Sequence, residues 1–226
     1  MAARGVLRGA WLAILLAALW LATWCTPASA THSASWTLGL ATGTAYNVPL
    51  TLRIEQAGEP ALRMTARWAT RPFRAPPYYA ARIGWCAGQG GWELELIHHK
   101  LYLENSTAEV PHLEATHGYN YLLLNRVERR GRLVWRLGAG ALIVHLEGVA
   151  RGQPLRVGDG ALGAGYRLTG PAAQFGVGRP IDVGRSVFVS PELRLTGAYA
   201  SVPLEDGRIV LPNLAVHATV GVGFRL

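Results

Sequence analysis

The chain has 226 residues, of which 50% are hydrophobic and only 16% charged, with a formal net charge of +8. A soluble domain has about 25% charged residues, so this chain is poor in charge. The apolar content excludes a disordered chain, and the two cysteines exclude a disulfide scaffold. A helical membrane protein is excluded unless one apolar stretch near the start is its only span.

The start of the chain predicts a secretory signal peptide. Arg4 and Arg8 form a basic segment, and residues 10–24 are almost all apolar or small. That run is shorter than the roughly 20 residues that a membrane helix needs. Ala28 and Ala30 form an A-x-A cleavage site, so we expect the first 30 residues to be removed after Ala30.

The mature part of the chain, residues 31–226, is predicted to form one domain. No fixed-period repeat and no low-complexity linker divides it, and its basic residues are all Arg except Lys100. Guanidinium groups bind phosphate oxygens in a bidentate manner, which favours an anionic lipid surface as partner. Because no basic run and no nucleic-acid motif is present, we expect no nucleic acid to be bound.

The last segments of the chain alternate with period two. From Leu214 to Leu226 every second residue is apolar, and the residues between are mostly small or polar. The preceding segment alternates in the same way between an apolar set (Val187, Val189, Leu193, Leu195, Tyr199) and a polar set (Ser190, Glu192, Arg194, Thr196), with Phe188 as an exception. Such alternation predicts β-strands with one buried face.

Turn signals divide the mature chain into ten candidate strands. They are 36–46, 50–57, 61–70, 78–87, 91–103, 112–128, 131–146, 160–178, 185–203 and 208–226. Eight strands is the alternative if the first segments merge or form a plug. Many segments are about ten residues or longer, whereas globular strands average about 5–6. The expected fold class is all-β, an antiparallel transmembrane β-barrel, and a soluble periplasmic β-sandwich is the alternative architecture.

The final residues carry a more specific pattern. Counting back from the last residue, positions one, three, five, seven and nine are Leu226, Phe224, Val222, Val220 and Ala218. This resembles the C-terminal assembly signal of bacterial outer-membrane β-barrels, the porin-like and outer-membrane-protein-A-like superfamily. That signal normally ends in Phe, and here Phe224 is third from the end.

The resemblance implies a small monomeric barrel in a Gram-negative outer membrane, inserted by the barrel-assembly machinery. Its partners would be outer-membrane lipid and lipopolysaccharide, and its role structural, surface-binding or limited passage of solutes. In this class the termini and short turns lie in the periplasm and longer loops lie outside. Periplasmic breaks are then expected at 88–91, 129–130 and 179–184, and outside breaks at 71–77, 104–111, 147–159 and 204–207.

Charged residues at inward positions predict a network inside the barrel. Glu93, Glu95, Glu192, Arg136 and Arg194 fall on the polar faces of their strands. The lumen of a small barrel is filled by polar side chains. We therefore expect these five residues to form internal salt bridges and hydrogen bonds.

The two strands around residues 104–111 hold the most unusual stretch. Residues expected to face lipid are Trp92, Leu94, Leu96, Tyr119, Tyr121 and Leu123, and those expected in the lumen are Glu93, Glu95, His99, Glu114, Thr116 and Asn120. His98 and His117 would then lie across from each other near the extracellular rim, with His145 at the same level.

These residues raise the alternative of a lipid A-modifying enzyme, a deacylase or acyltransferase. Such an enzyme needs a base, an orienting carboxylate and a nucleophile at the lipid interface. In that order the candidates are His98 or His117, Glu114 or Glu104, and Ser106 or Thr116. Lipid A deacylases are similar in size and compartment, but their His-x-Ser pair has no match at His98 or His117.

No strong catalytic or metal-binding motif is present, and we expect no cofactor and no metal ion. A metal site formed by His98, His99, His117 and His145 is a conceivable alternative, because imidazoles are common metal ligands.

Overall fold

The computed structural model describes residues 34–157, 163 and 165–226, and the predicted signal peptide lies outside these residues. Within them the strands in chain order are β1 (Ser35–Asn47), β2 (Leu50–Gln56), β3 (Leu62–Ala66), β4 (Trp68–Ala69), β5 (Tyr79–Ala87), β6 (Gly90–Leu103), β7 (His112–Arg130), β8 (Leu133–Val144), β9 (Glu147–Ala150), β10 (Gln153–Pro154), β11 (Arg167–Gly178), β12 (Ile181–Asp182), β13 (Val187–Leu204) and β14 (Gly207–Arg225). No helix in these ranges is long and apolar enough to cross a membrane.

Eight of these strands close into a ring by antiparallel pairing. Their order is β1-β5-β6-β7-β8-β11-β13-β14, and β14 pairs again with β1 from Thr37↔Arg225 to Asn47↔Ala215. A closed ring leaves no unpaired edge, which is the condition for β-structure in lipid. The predicted antiparallel β-barrel is confirmed, and the β-sandwich alternative is wrong because one sheet closes on itself.

The pattern count of ten strands is corrected to a ring of eight, the alternative that the sequence also allowed. The segments predicted at 50–57 and 61–70 do not enter the ring. They form a hairpin of β2 and β3, and β2 pairs with the start of β14 from Gly207↔Gln56 to Val210↔Arg53. The hairpin therefore extends one side of the barrel wall beyond the ring.

Because consecutive ring strands run in opposite directions, the connections fall at two ends. We call the near end the one that holds Ser35, Arg225 and the connections β5–β6, β7–β8 and β11–β13. The far end holds the longer connections β1–β5, β6–β7 and β8–β11, and the tight turn between β13 and β14. This is the grouping of breaks that the sequence predicted.

The outside of the ring carries an apolar belt to which every ring strand contributes. Its exposed large side chains include Trp36, Leu38, Leu40, Ile83, Trp85, Leu94, Leu122, Leu124, Leu137, Phe175, Leu193, Leu195, Val216, Val220, Val222 and Phe224. On β1 the exposed residues run from Trp36 to Tyr46. At about 3.3 Å per residue and a tilt of about 40°, that stretch is about 25 Å tall. This is the height of the apolar band of a transmembrane barrel.

Beyond the belt, the far end has an interior like that of a soluble protein. Leu52, Ile54, Leu101, Leu113 and Leu211 are each at most 1% exposed and belong to one apolar core. They come from β2, β6, β7 and β14, so the hairpin and the ring strands share this core. Burying a leucine side chain contributes roughly 1.5–3 kcal/mol, which holds the extension together outside the lipid.

Candidate functional site

The near half of the lumen is filled by oppositely charged side chains. Of the described residues, the members are Arg82 on β5, Glu93 and Glu95 on β6, Arg136 on β8, and Glu192 and Arg194 on β13. All are buried except Arg82, whose side chain is 11% exposed. Their formal charges cancel.

Glu95 and Glu192 are the centres of this network. Arg82 donates from Nε to Glu95 at 2.7 Å, and from Nη1 and Nη2 to Glu192 at 2.7 and 2.5 Å. Arg194 bridges the same two carboxylates at 2.6 and 2.8 Å. Each of these carboxylates thus faces at least two guanidinium groups, and charge-assisted hydrogen bonds of this kind offset the desolvation of buried ions.

Further polar groups complete the network. Arg136 binds Glu93 at 2.6 Å and lies 3.3 Å from Glu192. The amides of Asn125 and Gln174 both donate to Glu95. The predicted internal network is therefore confirmed at all five predicted residues, and Arg82 is the member that the prediction missed. The sequence could have indicated it, because Arg82 precedes the outward Ile83 and adjacent residues of a strand point to opposite faces.

A polar layer of His, Tyr and Asn lies next to the charged network, on its far side. Tyr78 Oη is 2.9 Å from His217 Nδ1, and Thr196 Oγ1 is 2.8 Å from His217 Nε2. His99 Nε2 is 2.8 Å from Asn47 Oδ1. All five side chains are buried. An eight-stranded barrel is just wide enough for side chains to fill, and these two layers occupy its cross-section.

A cavity of about 310 Å³ opens at the near end, with Arg129 and Arg136 among its lining residues. The ring of Phe188 also lines it, and the guanidinium carbon of Arg225 lies 4.8 Å from the centre of that ring. A Cβ atom at Gly223 would lie 2.1 Å from that ring, so the close approach requires glycine there. Phe188, the exception to the alternation, therefore keeps its inward position and partly closes the lumen.

His98 lies under an aromatic ring rather than opposite His117. Its imidazole stacks on Tyr79 at 5.1 Å, and its Nδ1 is 2.7 Å from Asn120 Oδ1. In the strand register His98 faces Asn120. The expectation that His98 and His117 lie across from each other is wrong, because the continuous register from Gly90↔Glu128 to His99↔Tyr119 pairs His98 with Asn120, and the register shifts only beyond His99.

That shift is a bulge in which Lys100 of β6 faces residues 116–118 of β7. Gly118 adopts a φ of +132° within it. On the near side of the bulge the faces of β7 are exchanged relative to the prediction. Tyr119, Tyr121 and Leu123 are buried in the lumen, and Asn120, also buried, lies on the opposite face beside His98. On β6 the prediction is right, because Glu93, Glu95 and His99 are inward and Trp92, Leu94 and Leu96 are outward.

The four predicted catalytic residues make separate contacts. Glu114 lies 3.8 Å from His112, and His117 lies 3.3 Å from Glu147. Ser106 is exposed in the connection between β6 and β7. Among the described residues no hydrogen bond joins Ser106 to His98 or His117. These contacts do not bring the four residues together into one catalytic site. The lipid A-modifying alternative therefore stays a prediction.

The bulge instead presents His117 to a cluster at the far end, which we call the rim cluster: His117, His145 and Glu147. His117 Nδ1 is 3.3 Å from Glu147 Oε1, and His145 Nε2 is 3.8 Å from the same oxygen. The two imidazole centroids are 5.1 Å apart. The backbone N–H of His145 donates to the carbonyl of Gly118 at 3.0 Å, which ties the two histidines together.

Residues from the connection before β11 cover the rim cluster. The Tyr166 ring packs 5.0 Å from His145, and its hydroxyl donates to the His117 carbonyl at 3.2 Å. Burial, followed by the neighbouring His117, lowers the pKa of His145, and Glu147 offsets part of that effect. The sequence placed His117 and His145 at one level but gave Glu147 no role.

Comparisons with known proteins give no matching family model and no matching curated protein sequence. Among solved structures, the chain is similar to neisserial surface protein A at 10% identity and a TM-score of 0.46, covering 86% of this chain and 99% of that one. It is similar to the outer membrane protein AlkL at 13% identity and a TM-score of 0.46, covering 90% of this chain and 95% of that one. It is also similar to Ail, the attachment invasion locus protein of Yersinia pestis, at 11% identity and a TM-score of 0.40, covering 86% of this chain and 99% of that one.

A closed antiparallel ring with an apolar belt outside and paired charges inside defines a transmembrane β-barrel. The chain has the fold of the small bacterial outer-membrane β-barrels, the class that its last strand resembles. An apolar belt of this height around the whole ring places the barrel in a membrane.

Proposed function

We propose that the chain is a non-conducting outer-membrane barrel that presents a binding surface at its far end. The observation that carries the proposal is the filled lumen. Glu95 binds Arg194 and Glu192 binds Arg82 across the barrel, and the layer of Tyr78, His99 and His217 lies next to them. A passage along the axis would have to break several buried charge-assisted hydrogen bonds at once.

The far end supports the binding role because it is built as an ordered surface. Strands β2, β3, β9 and β10 extend it beyond the belt and cover an apolar core. Arg151, in the β9–β10 turn, donates to the Pro60 carbonyl at 2.7 Å and to Gln56 at 3.4 Å. This contact fixes the β9–β10 turn against the β2–β3 hairpin. Pre-ordered loops lose less conformational entropy on binding, which favours recognition.

The near end supports anionic lipid as the surrounding partner. Of the described residues outside the lumen network, it holds seven arginines (Arg126, Arg129, Arg130, Arg132, Arg179, Arg185, Arg225) and two acidic residues (Glu128, Asp182). The guanidinium of Arg126 lies 5.6 Å over the Trp92 ring at the edge of the belt. Arginine and tryptophan at this level fit a headgroup region with phosphate oxygens.

Planar-bilayer recording tests whether the barrel conducts. The purified protein should show no steady ohmic current. The double variant Glu192→Ala/Arg194→Ala removes an opposite pair from the network without changing net charge, and should give small channels. The double variant Glu128→Ala/Arg130→Ala removes an exposed pair and should stay silent. Stable channels in the unchanged protein would overturn the proposal in favour of solute passage.

Cysteine labelling in intact cells tests which end carries the surface. In a Cys86→Ser background, Glu59→Cys places a thiol in the exposed β2–β3 turn and Arg132→Cys places one in the near-end β7–β8 turn. A membrane-impermeant maleimide should label Glu59→Cys in intact cells. It should label Arg132→Cys only after the outer membrane is permeabilised. The reverse pattern would contradict a far-end binding surface.

A further inference from the structure

We propose that the rim cluster of His117, His145 and Glu147 is a binding site for a divalent transition-metal ion of the zinc type. This goes beyond a binding surface in general, and it holds or fails whether or not the barrel conducts. The three side chains each offer one ligand atom, and these atoms lie within 4.8 Å of one another.

The distances between the ligand atoms are close to those around a tetrahedral ion. Zinc binds imidazole nitrogen and carboxylate oxygen at about 2.0–2.2 Å, so two ligand atoms on one ion are about 3.3–3.6 Å apart. The Glu147 oxygen is 3.3 Å from His117 Nδ1 and 3.8 Å from His145 Nε2. Small side-chain rotations that bring the two imidazole nitrogens closer would complete the three-ligand geometry.

The backbone around the cluster holds these ligands in place. The bulge at residues 116–118 turns His117 outward. The hydrogen bond from the backbone N–H of His145 to the carbonyl of Gly118 keeps the two histidines close together. Gly165, at a φ of +74°, leaves room beside His145, because a Cβ there would lie 3.2 Å from Nε2. That nitrogen is the one that faces Glu147.

The donor set selects the class of ion. Two imidazoles and one carboxylate suit zinc, copper or nickel, whereas calcium and magnesium require mostly oxygen ligands. Three protein ligands leave a fourth position for water or an external group. The side chains of His117 and Glu147 are each 50% exposed, so an ion reaches the site from the far-end solvent.

Calorimetric titration with zinc chloride tests the site on the detergent-folded barrel, purified without a histidine tag. The expected result is saturable binding of one ion per chain. His117→Ala, His145→Ala and Glu147→Gln should each weaken zinc binding by at least about tenfold. Even the loss of a group that only hydrogen-bonds to a metal ligand weakens metal affinity by about that factor. His112→Ala is the matched control, an exposed far-end histidine outside the cluster, and should bind zinc like the unchanged protein.

Cobalt(II) gives an independent readout. It should produce the visible absorption of a tetrahedral site in the unchanged protein and in His112→Ala, and that absorption should disappear in the three cluster variants. Heat-modifiable gel mobility shows for each variant that the barrel is folded. Absence of saturable zinc binding, or binding that survives His117→Ala/His145→Ala in a folded barrel, would overturn the proposal.

Discussion

The two halves of this barrel are built with opposite chemistry. In the near half the outward positions are apolar, such as Leu94 and Val220, and the inward ones are charged, such as Glu95 and Arg194. At the far end the order reverses: Leu211 and Ile209 point inward, and Arg208 is exposed. The difference shows that the face carrying the apolar residues depends on the surrounding solvent, even within one continuous strand. Lipid favours an apolar exterior, and water favours an apolar interior.

The change can be followed along β14 alone. Ile209 and Leu211 are buried at odd positions, whereas Val220 and Val222 are exposed at even positions. The apolar residues change face between these two stretches while the strand itself continues without a break. The change of face marks the level at which the barrel leaves the lipid on its far side.

The largest expected effect comes from the charged interior of the near half. Glu95→Ala leaves Arg82 and Arg194 with one fewer carboxylate in a buried site, and should lower the free energy of unfolding by about 3–5 kcal/mol. Glu55→Ala is the far-end control. It removes exposed ion pairs with Arg53 and Arg208, and should lower that free energy by less than about 1 kcal/mol.

Denaturant titration of both variants folded into lipid vesicles measures these two values. Equal losses for Glu95→Ala and Glu55→Ala would mean that the lumen ions are no more important than surface ions. The contrast between the halves would then rest on the apolar residues alone.

A smaller effect is expected from one substitution made at two levels of the same strand face. Val220→Glu places a carboxylate in the middle of the belt and should be destabilising by on the order of 2 kcal/mol. Val210→Glu lies on the same face of β14 beside Arg53, outside the belt, and should change stability by at most about 0.5 kcal/mol. The same vesicle titration compares the two variants, and similar losses would contradict the placement of the lipid boundary between them.

The smallest effect is expected from substitutions that test whether the far end is a catalytic site. We expect the unchanged barrel, His98→Ala and His117→Ala all to leave lipid A unmodified, because no hydrogen bond or ion pair joins Ser106 or Glu114 to either imidazole. Mass spectrometry of lipid A from Gram-negative cells expressing each protein measures this. An acyl chain gained or lost with the unchanged barrel, but not with a variant, would restore the enzymatic interpretation.

Much of the fold could be predicted from local alternation. The belt face of β13 and β14 and the five predicted network residues are right because period two is a property of each strand by itself. The number of ring strands is not such a property. The segments that form β2 and β3 have ordinary strand sequences, and they stay outside the ring because β2 pairs with β14 and β3 pairs only with β2. The change of face along β14 is visible in the sequence and would have marked the extension.

The rim cluster was only partly within reach of the sequence. His117 and His145 were placed at one level by counting along the strands. Their approach depends on a bulge in which three residues of β7 face one of β6, and no local pattern encodes that register. Glu147 follows the predicted strand 131–146 in a segment interpreted as a break, where the structure instead begins β9, so nothing in the sequence paired it with the histidines.

Strand β14 pairs on one edge with β13 along its whole length and on the other edge with two partners, β1 and then β2. It follows every other described strand in the chain. β14 therefore closes two seams at once, that of the ring in the lipid and that of the hairpin beyond it. A chain without β14 would leave both seams open.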